Sequence, residues 1–150
     1  MQYWLCITSL ANWDIIEKES LWAVKTQAQK RIKKVEPGDK LVFYVKSPVQ
    51  AIAGIYEAVS KVYIDAEQLP WDDGPYPCRI RIRLVGKVRN LKGTFKERNL
   101  LRLPTLIRKL KSVRSLPALQ GKSMIAIAER DFRFIQLLLE KCPLYIMVGS

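Results

Sequence analysis

The 150-residue chain has no histidine. That removes His-based triads, His general bases and His-containing zinc sites together. Cysteine is scarce. Cys6, Cys78 and Cys142 are odd in number and have no CxxC spacing, which suits reduced thiols in a cytosolic protein. All three lie in apolar stretches, where cysteine behaves as a small core residue. The glycines form no P-loop, no GxGxxG and no GxSxG. No apolar run is long enough to span a bilayer. "MQYWLCITSL" has no basic region ahead of its apolar residues, so it does not read as a signal peptide. The expectation is a cytoplasmic protein with no membrane contact and no metal or cofactor, not an enzyme. It reads as one domain over residues 1–150, with oligomeric state open and a monomer allowed.

Acidic residues are also few, 14 against 26 Lys and Arg, for a net charge of +12. The imbalance is local. Thirteen of the basic residues and one acid, Glu97, lie between Arg79 and Arg114, and the rest of the chain is neutral. Charge concentrated in this way is the footprint of a polyanion binder. A solvated basic surface is the plainer explanation; the clustering argues for nucleic acid.

Within that segment "CRIRIRLVGKVR" alternates with a period of two. Ile80, Ile82 and Leu84 share one strand face and Arg79, Arg81 and Arg83 the other. The arginines would stand about 6.5–7 Å apart along the strand, close to the spacing of successive phosphates. Arg108, Lys109 and Lys111, with Arg114, form a second candidate phosphate surface on a helix expected over 103–115, opening at Pro104.

The remaining chain reads as alternating strands and helices. A buried strand over 2–7 leads to Ser9, a helix N-cap for "LANWDIIEKE". "SLWAV" (20–24) is a short extended piece, and 25–34 a short exposed helix. "EPGDK" is a turn between that helix and a strand at 41–46, which the return strand of 50–63 joins as a hairpin. Gly54 inside the return strand marks a bulge or a close approach. A loop at 65–77, the arginine strand, a turn at 90–99, a strand at 123–127 and a helix over 129–141 complete the order. The apolar tail "CPLYIMVGS" packs on its own domain or on a partner. The class is α+β: a small, partly open β-barrel of mostly antiparallel strands flanked by helices.

Of four tryptophans, Trp4 and Trp13 lie on elements with core periodicity. Trp22 and Trp71 sit in loop-like contexts, where exposed aromatics serve recognition. Two indoles on opposite walls would stack on an unstacked base. The plainer alternative is that they cover the mouth of the barrel.

"YWLCITSLANWDII", "LWAV", "VEPGDKLVFYVK" and "IAGIYEAVS", followed by "PYPCRIRIRL" and "IAERDFRFIQ", resemble in order and spacing the EVE domain, a PUA-like family related to the YTH domain. The resemblance covers Tyr3 to about Lys141. It implies a non-catalytic domain whose pocket takes an extruded modified base: modified cytosine in DNA for EVE domains, N6-methyladenine in RNA for YTH domains. Trp22 then corresponds to a pocket wall, and the backbone of Ala23 and Val24 to contacts with the base edge. Ser9 falls where relatives place a polar pocket residue. Trp71 matches the second cage aromatic, and Asn12 is within reach of the base unless helix geometry turns it away. Ala23 stands where YTH domains have Ser and Ser9 where they have Asn, which favours the EVE side.

Two other functions remain open at this point. One is a general RNA-binding module for tRNA or rRNA without base selectivity. The other is an enzyme acting on nucleic acid, with Asp65, Asp72 or Asp73 holding a metal, although carboxylates beside Gly and Pro are ordinary turn chemistry.

Overall fold

The computed structural model describes residues 1–71, 74–97 and 99–148. Asp72 and Asp73, from the metal-binding alternative, lie outside the described residues. β1 (Tyr3–Thr8) enters the core and is followed by α1 (Leu10–Glu19). Ser9 is the N-cap: its backbone is extended and its hydroxyl accepts the Asn12 amide at 3.1 Å. β2 (Leu21–Val24) is a true strand, because all four residues pair with the arginine strand. Tertiary pairing supplies what a segment that short lacks by itself. A single 3-10 turn then leads into α2 (Gln29–Ile32).

β3 (Lys40–Val45) and β4 (Ala51–Ala58) form the expected antiparallel hairpin. Its register slips by one residue between Phe43 and Tyr44, opposite Gly54. A Cβ at Gly54 would stand 2.9 Å from the Gly86 carbonyl oxygen. The glycine is therefore both a bulge site and a close approach, and the approaching chain is another strand. Next come β5 (Tyr63–Ile64), the arginine strand β6 (Cys78–Val88), α3 (Leu91–Thr94), α4 (Leu103–Leu106), β7 (Met124–Ile127), α5 (Glu129–Glu140) and β8 (Tyr145–Met147).

The sheet runs β2-β6-β4-β3-β1-β7. β1 and β3 are parallel; the other pairs are antiparallel. β6 is eleven residues long and changes neighbours along its length, meeting β2 and β5 at one end and β8 at the other. The sheet thereby curls into a half-barrel with helices around it. Its central strands are buried almost end to end and read as continuous apolar runs. Trp13 of α1 packs on Phe43 and Tyr56, and Phe132 of α5 on Tyr3, with ring centroids 4.6–6.0 Å apart. The tail lies on its own domain, as β8 against β6.

The helix expected over 103–115 is only one turn, followed by a 3-10 turn that ends at Leu110. Its continuation is intercepted by Asp131, whose buried carboxylate accepts the Lys111 amide at 3.0 Å and the Ser112 amide at 2.6 Å. Burial pushes the Asp131 carboxyl up, but these amides and the Ser112 hydroxyl hold it, on balance, below the usual range. Cys6 and Cys78 are buried, and burial raises both thiols, so they stay protonated at neutral pH. Among the described residues no helix is long and apolar enough to cross a membrane.

Candidate nucleic-acid interface

A cleft of about 1380 Å³ opens beside the end of β1. Five stretches of chain line it. Thr8, Ser9 and Asn12 come from the β1–α1 junction; Trp22, Lys25 and Arg31 from β2, its exit and α2. Tyr44, Lys46 and Gln50 come from the β3–β4 hairpin, Trp71 and Tyr76 from the loop ahead of β6, and residues 116–123 from the segment ahead of β7.

The residues lining this space carry an unusual share of unpaired buried polar atoms. Among the described residues, five buried side-chain atoms lack a hydrogen-bond partner, and four belong to residues lining the cleft: Thr8 Oγ1, Asn12 Oδ1, Trp22 Nε1 and Trp71 Nε1. The fifth is Trp13 Nε1. An unpaired buried polar group costs roughly 1–3 kcal/mol, so four of them on residues lining one opening call for an explanation.

The aromatic residues form a chain. Tyr76 lies 4.6 Å from Trp71, Trp71 6.3 Å from Trp22, and Trp22 5.4 Å from Phe43, centroid to centroid. The structure thus brings Trp22 and Trp71 together, but as a contacting pair. Their planes are tilted by 50°, and both rings are buried, at 2% and 6% exposure. A heterocycle between parallel rings needs about 7 Å, two van der Waals spacings. The open slot expected between facing indoles is therefore absent. Ser9 and Asn12 line the cleft, and α1 turns Asn12 inward. Ala23 and Val24 are fully buried in β2 and are not among the lining residues. β2 pairs with β6 along both of them.

The cations differ most from expectation. Arg79 is 4% exposed. The 65–77 loop folds over its face of β6, and the guanidinium clamps that loop. Nε donates to the Tyr76 carbonyl at 3.0 Å, Nη2 to the Glu67 carbonyl, and Nη1 lies 3.3 Å from Asp65. Arg79 is a structural clamp with no surface to offer a phosphate. Arg83 pairs with Glu57 and Arg81 stands 5.8 Å over the Tyr63 ring; both are exposed but line no part of the cleft. Arg108, Lys109 and Lys111 are exposed and also lie outside it. Asp65 is engaged by Arg79 and by the Glu67 amide.

The cleft's own cations are Lys25, Lys30, Arg31, Lys46 and Lys122, and none of its described lining residues is acidic. Lys25, Lys30 and Arg31 belong to the stretch 25–34, a small basic run of its own with five Lys or Arg and no acid; Lys46 and Lys122 stand apart from it and from the dense run of Arg79 to Arg114. Their shared location is set by topology. Burial pushes the Tyr44 hydroxyl up, which keeps this lining residue a neutral phenol.

The curled mixed sheet and the opening beside the β1–α1 junction define a PUA-like domain. A family model described as the EVE domain matches residues 2–138, and the chain belongs to that family. It is similar to UPF0310 proteins of Pyrococcus abyssi, at 36% identity over 93% of this chain and 100% of the relative, and of Pyrococcus horikoshii, at 32% over 93% and 99%. Among solved structures it is similar to a protein of Agrobacterium tumefaciens, at 19% identity, TM-score 0.65, covering 92% of this chain and 93% of the other. It is also similar to the Mmi1 YTH domain, solved in complex with RNA, at 16% identity and TM-score 0.61, covering 91% and 77%.

Proposed function

We propose that the cleft takes a nucleobase swung out of a nucleic-acid strand, while Lys25, Lys30, Arg31, Lys46 and Lys122 hold the adjoining phosphates. The observation that carries this reading is the set of four orphaned polar atoms on residues lining one cationic opening, with no acid among its described lining residues. Phosphate contacts give affinity and register; the pocket gives selectivity. Because Trp22 and Trp71 pack on each other and are buried, the base is not sandwiched between them and meets the aromatic cluster at its half-buried end, Tyr76. The YTH neighbour was solved with RNA, which supports a nucleic acid as the class of partner.

The base is a modified cytosine, and the polymer DNA. Cytosine offers one donor, its exocyclic amine, and two acceptors on its pairing edge. The orphaned groups answer with one acceptor, Asn12 Oδ1, two indole donors and the ambivalent Thr8 hydroxyl. A substituent at ring carbon 5 leaves that edge intact and has room in about 1380 Å³. In this reading the domain binds and does no chemistry, a role supported by the EVE-domain family match. The second reading, a general RNA-binding module, is favoured by the RNA complex of the YTH neighbour. It keeps the cationic rim and drops base selectivity.

A panel of single-stranded nonamers separates the two. They carry cytosine, 5-methylcytosine, thymine or adenine at the central position, in DNA and in RNA, and binding is followed by tryptophan fluorescence. Trp71→Phe keeps a ring and removes one donor. It is expected to reduce the preference for the cytosine derivative about tenfold, the worth of one well-placed hydrogen bond, with background binding retained. Equal affinity of the unmutated protein for all central bases rejects the pocket reading and leaves the general RNA module.

A further inference from the structure

A second, smaller hollow of about 440 Å³ lies next to the cleft, lined by Gln2, Trp4, Arg31, Lys34, Ile125 and Ala126. Arg31 lines both spaces. It stands on α2, and its Nη1 donates to the Met124 carbonyl of β7 at 3.1 Å. That bond fixes the guanidinium on the ridge between the two concavities while leaving other donors of the fork to a ligand. The hollow's floor is equally constrained. Asp39, 2% exposed, accepts the Gln2 amide at 2.9 Å, the Trp4 indole N–H at 3.1 Å and the Glu36 amide at 3.0 Å. The described lining includes two cations, one neutral amide, three apolar residues and no acid.

We infer that this hollow is the subsite for the nucleotide flanking the extruded base, its phosphate held between Arg31 and Lys34 and its sugar against Ala126 and Ile125. The inference rests on the reading of the main cleft as the base pocket. The hollow's volume is at the small end of ligand sites, roughly 300–1,000 Å³. Lys30 and Lys34 are four residues apart on a helical turn and its continuation, so they share a face. A strand leaving the cleft past Lys30 meets Arg31 and then Lys34. The path runs along α2 toward β7, where Arg31 is bonded to Met124, and so gives the bound strand a direction.

Two variants test the subsite with random-sequence single-stranded nonamers of DNA and of RNA. Lys34→Gln removes the phosphate partner. Ala126→Phe fills the hollow from an exposed position on β7 without altering charge. Lys34→Gln is expected to weaken binding three- to tenfold at low salt and to lower the slope of log K against log salt by roughly 0.7, one single-strand phosphate contact. Lys34→Arg restores both. Ala126→Phe is expected to weaken binding at least threefold with its slope unchanged and its thermal melting within a few degrees of the parent. If the parent binds and Lys34→Gln leaves affinity and slope alone, the subsite is wrong and the cleft reading stands. If Lys34→Gln has its effect but Ala126→Phe binds normally, Lys34 acts over the open surface and the hollow is no subsite. If the parent binds neither polymer, the cleft reading fails first and takes the subsite with it.

Discussion

At position 79 a strand-face argument and a burial argument give opposite answers. Periodicity places Arg79 beside Arg81 and Arg83 on the outer face of β6, and the backbone does so. The 65–77 loop then closes over that face, leaving the side chain 4% exposed and bonded to the carbonyls of Tyr76 and Glu67 and to Asp65. Arg79→Ala strands two carbonyls. It is expected to cost about 2 kcal/mol or more in urea unfolding. The loop it clamps carries Trp71 and Tyr76 into the cleft, so ligand affinity falls as well. The salt slope of binding should stay put, because a residue sealed from solvent releases no counterion. A reduced slope with unchanged stability would instead make Arg79 the phosphate contact its face suggested. Other residues were legible at this scale. Ser9 caps α1 as its identity and position require. Asn12 was harder to place, because which side of a helix faces a cleft depends on the sheet beneath it.

Between elements, a buried carboxylate decides where one segment ends. Leu103 to Ser115 carries apolar residues at helical spacing, yet only one α-helical turn forms, because Asp131 at the start of α5 takes the Lys111 and Ser112 amides. Propensity within the segment lost to a hydrogen-bond acceptor 20 residues on. No pattern inside 103–115 announces it. The same holds for β2, made a strand by β6. The hairpin, the bulge at Gly54 and α5 were legible because their causes are local: turn residues, a missing Cβ and an apolar stripe. The Asp131 bonds also carry a pH signature. Its folded carboxyl titrates below the usual value near 3.9, so its contribution is fully present above that unfolded value and is lost as pH falls through the folded one. Asp131→Asn is expected to be less stable than the parent by about 1–2 kcal/mol at pH 7. The gap in thermal melting should close as pH drops from about 5 toward 2. A gap constant over that range would mean the carboxylate's charge contributes nothing and only its shape matters.

For the whole molecule, the question is where a net charge of +12 does its work. The dense run from Arg79 to Arg114 points to itself, but several of its cations are engaged by the protein's own groups. Arg79 clamps a loop, Arg83 meets Glu57, Lys87 meets Glu17 at 2.5 Å, and Arg102 donates to the carbonyls of Val49, Phe95 and Glu97. The cleft draws its cations from four separate stretches: the α2 region, the β3–β4 turn, β2's exit and the segment before β7. Counterion release counts phosphates engaged, and takes no account of charges carried by the chain. Replacing Lys30, Lys46 and Lys122 together with Gln is therefore expected to lower the salt slope for a single-stranded nonamer by roughly 2 (about 0.7 for each lost contact). Replacing Arg108, Lys109 and Lys111, which lie outside the cleft, removes the same formal charge. Through the long-range field alone it should slow association at low salt and change the slope by less than 1. The paired titrations hold net charge constant and vary only position. If the two triple variants shift the slope equally, the protein binds nucleic acid as a diffuse cation. The cleft's orphaned indoles and amide would then need a different ligand, one without phosphates.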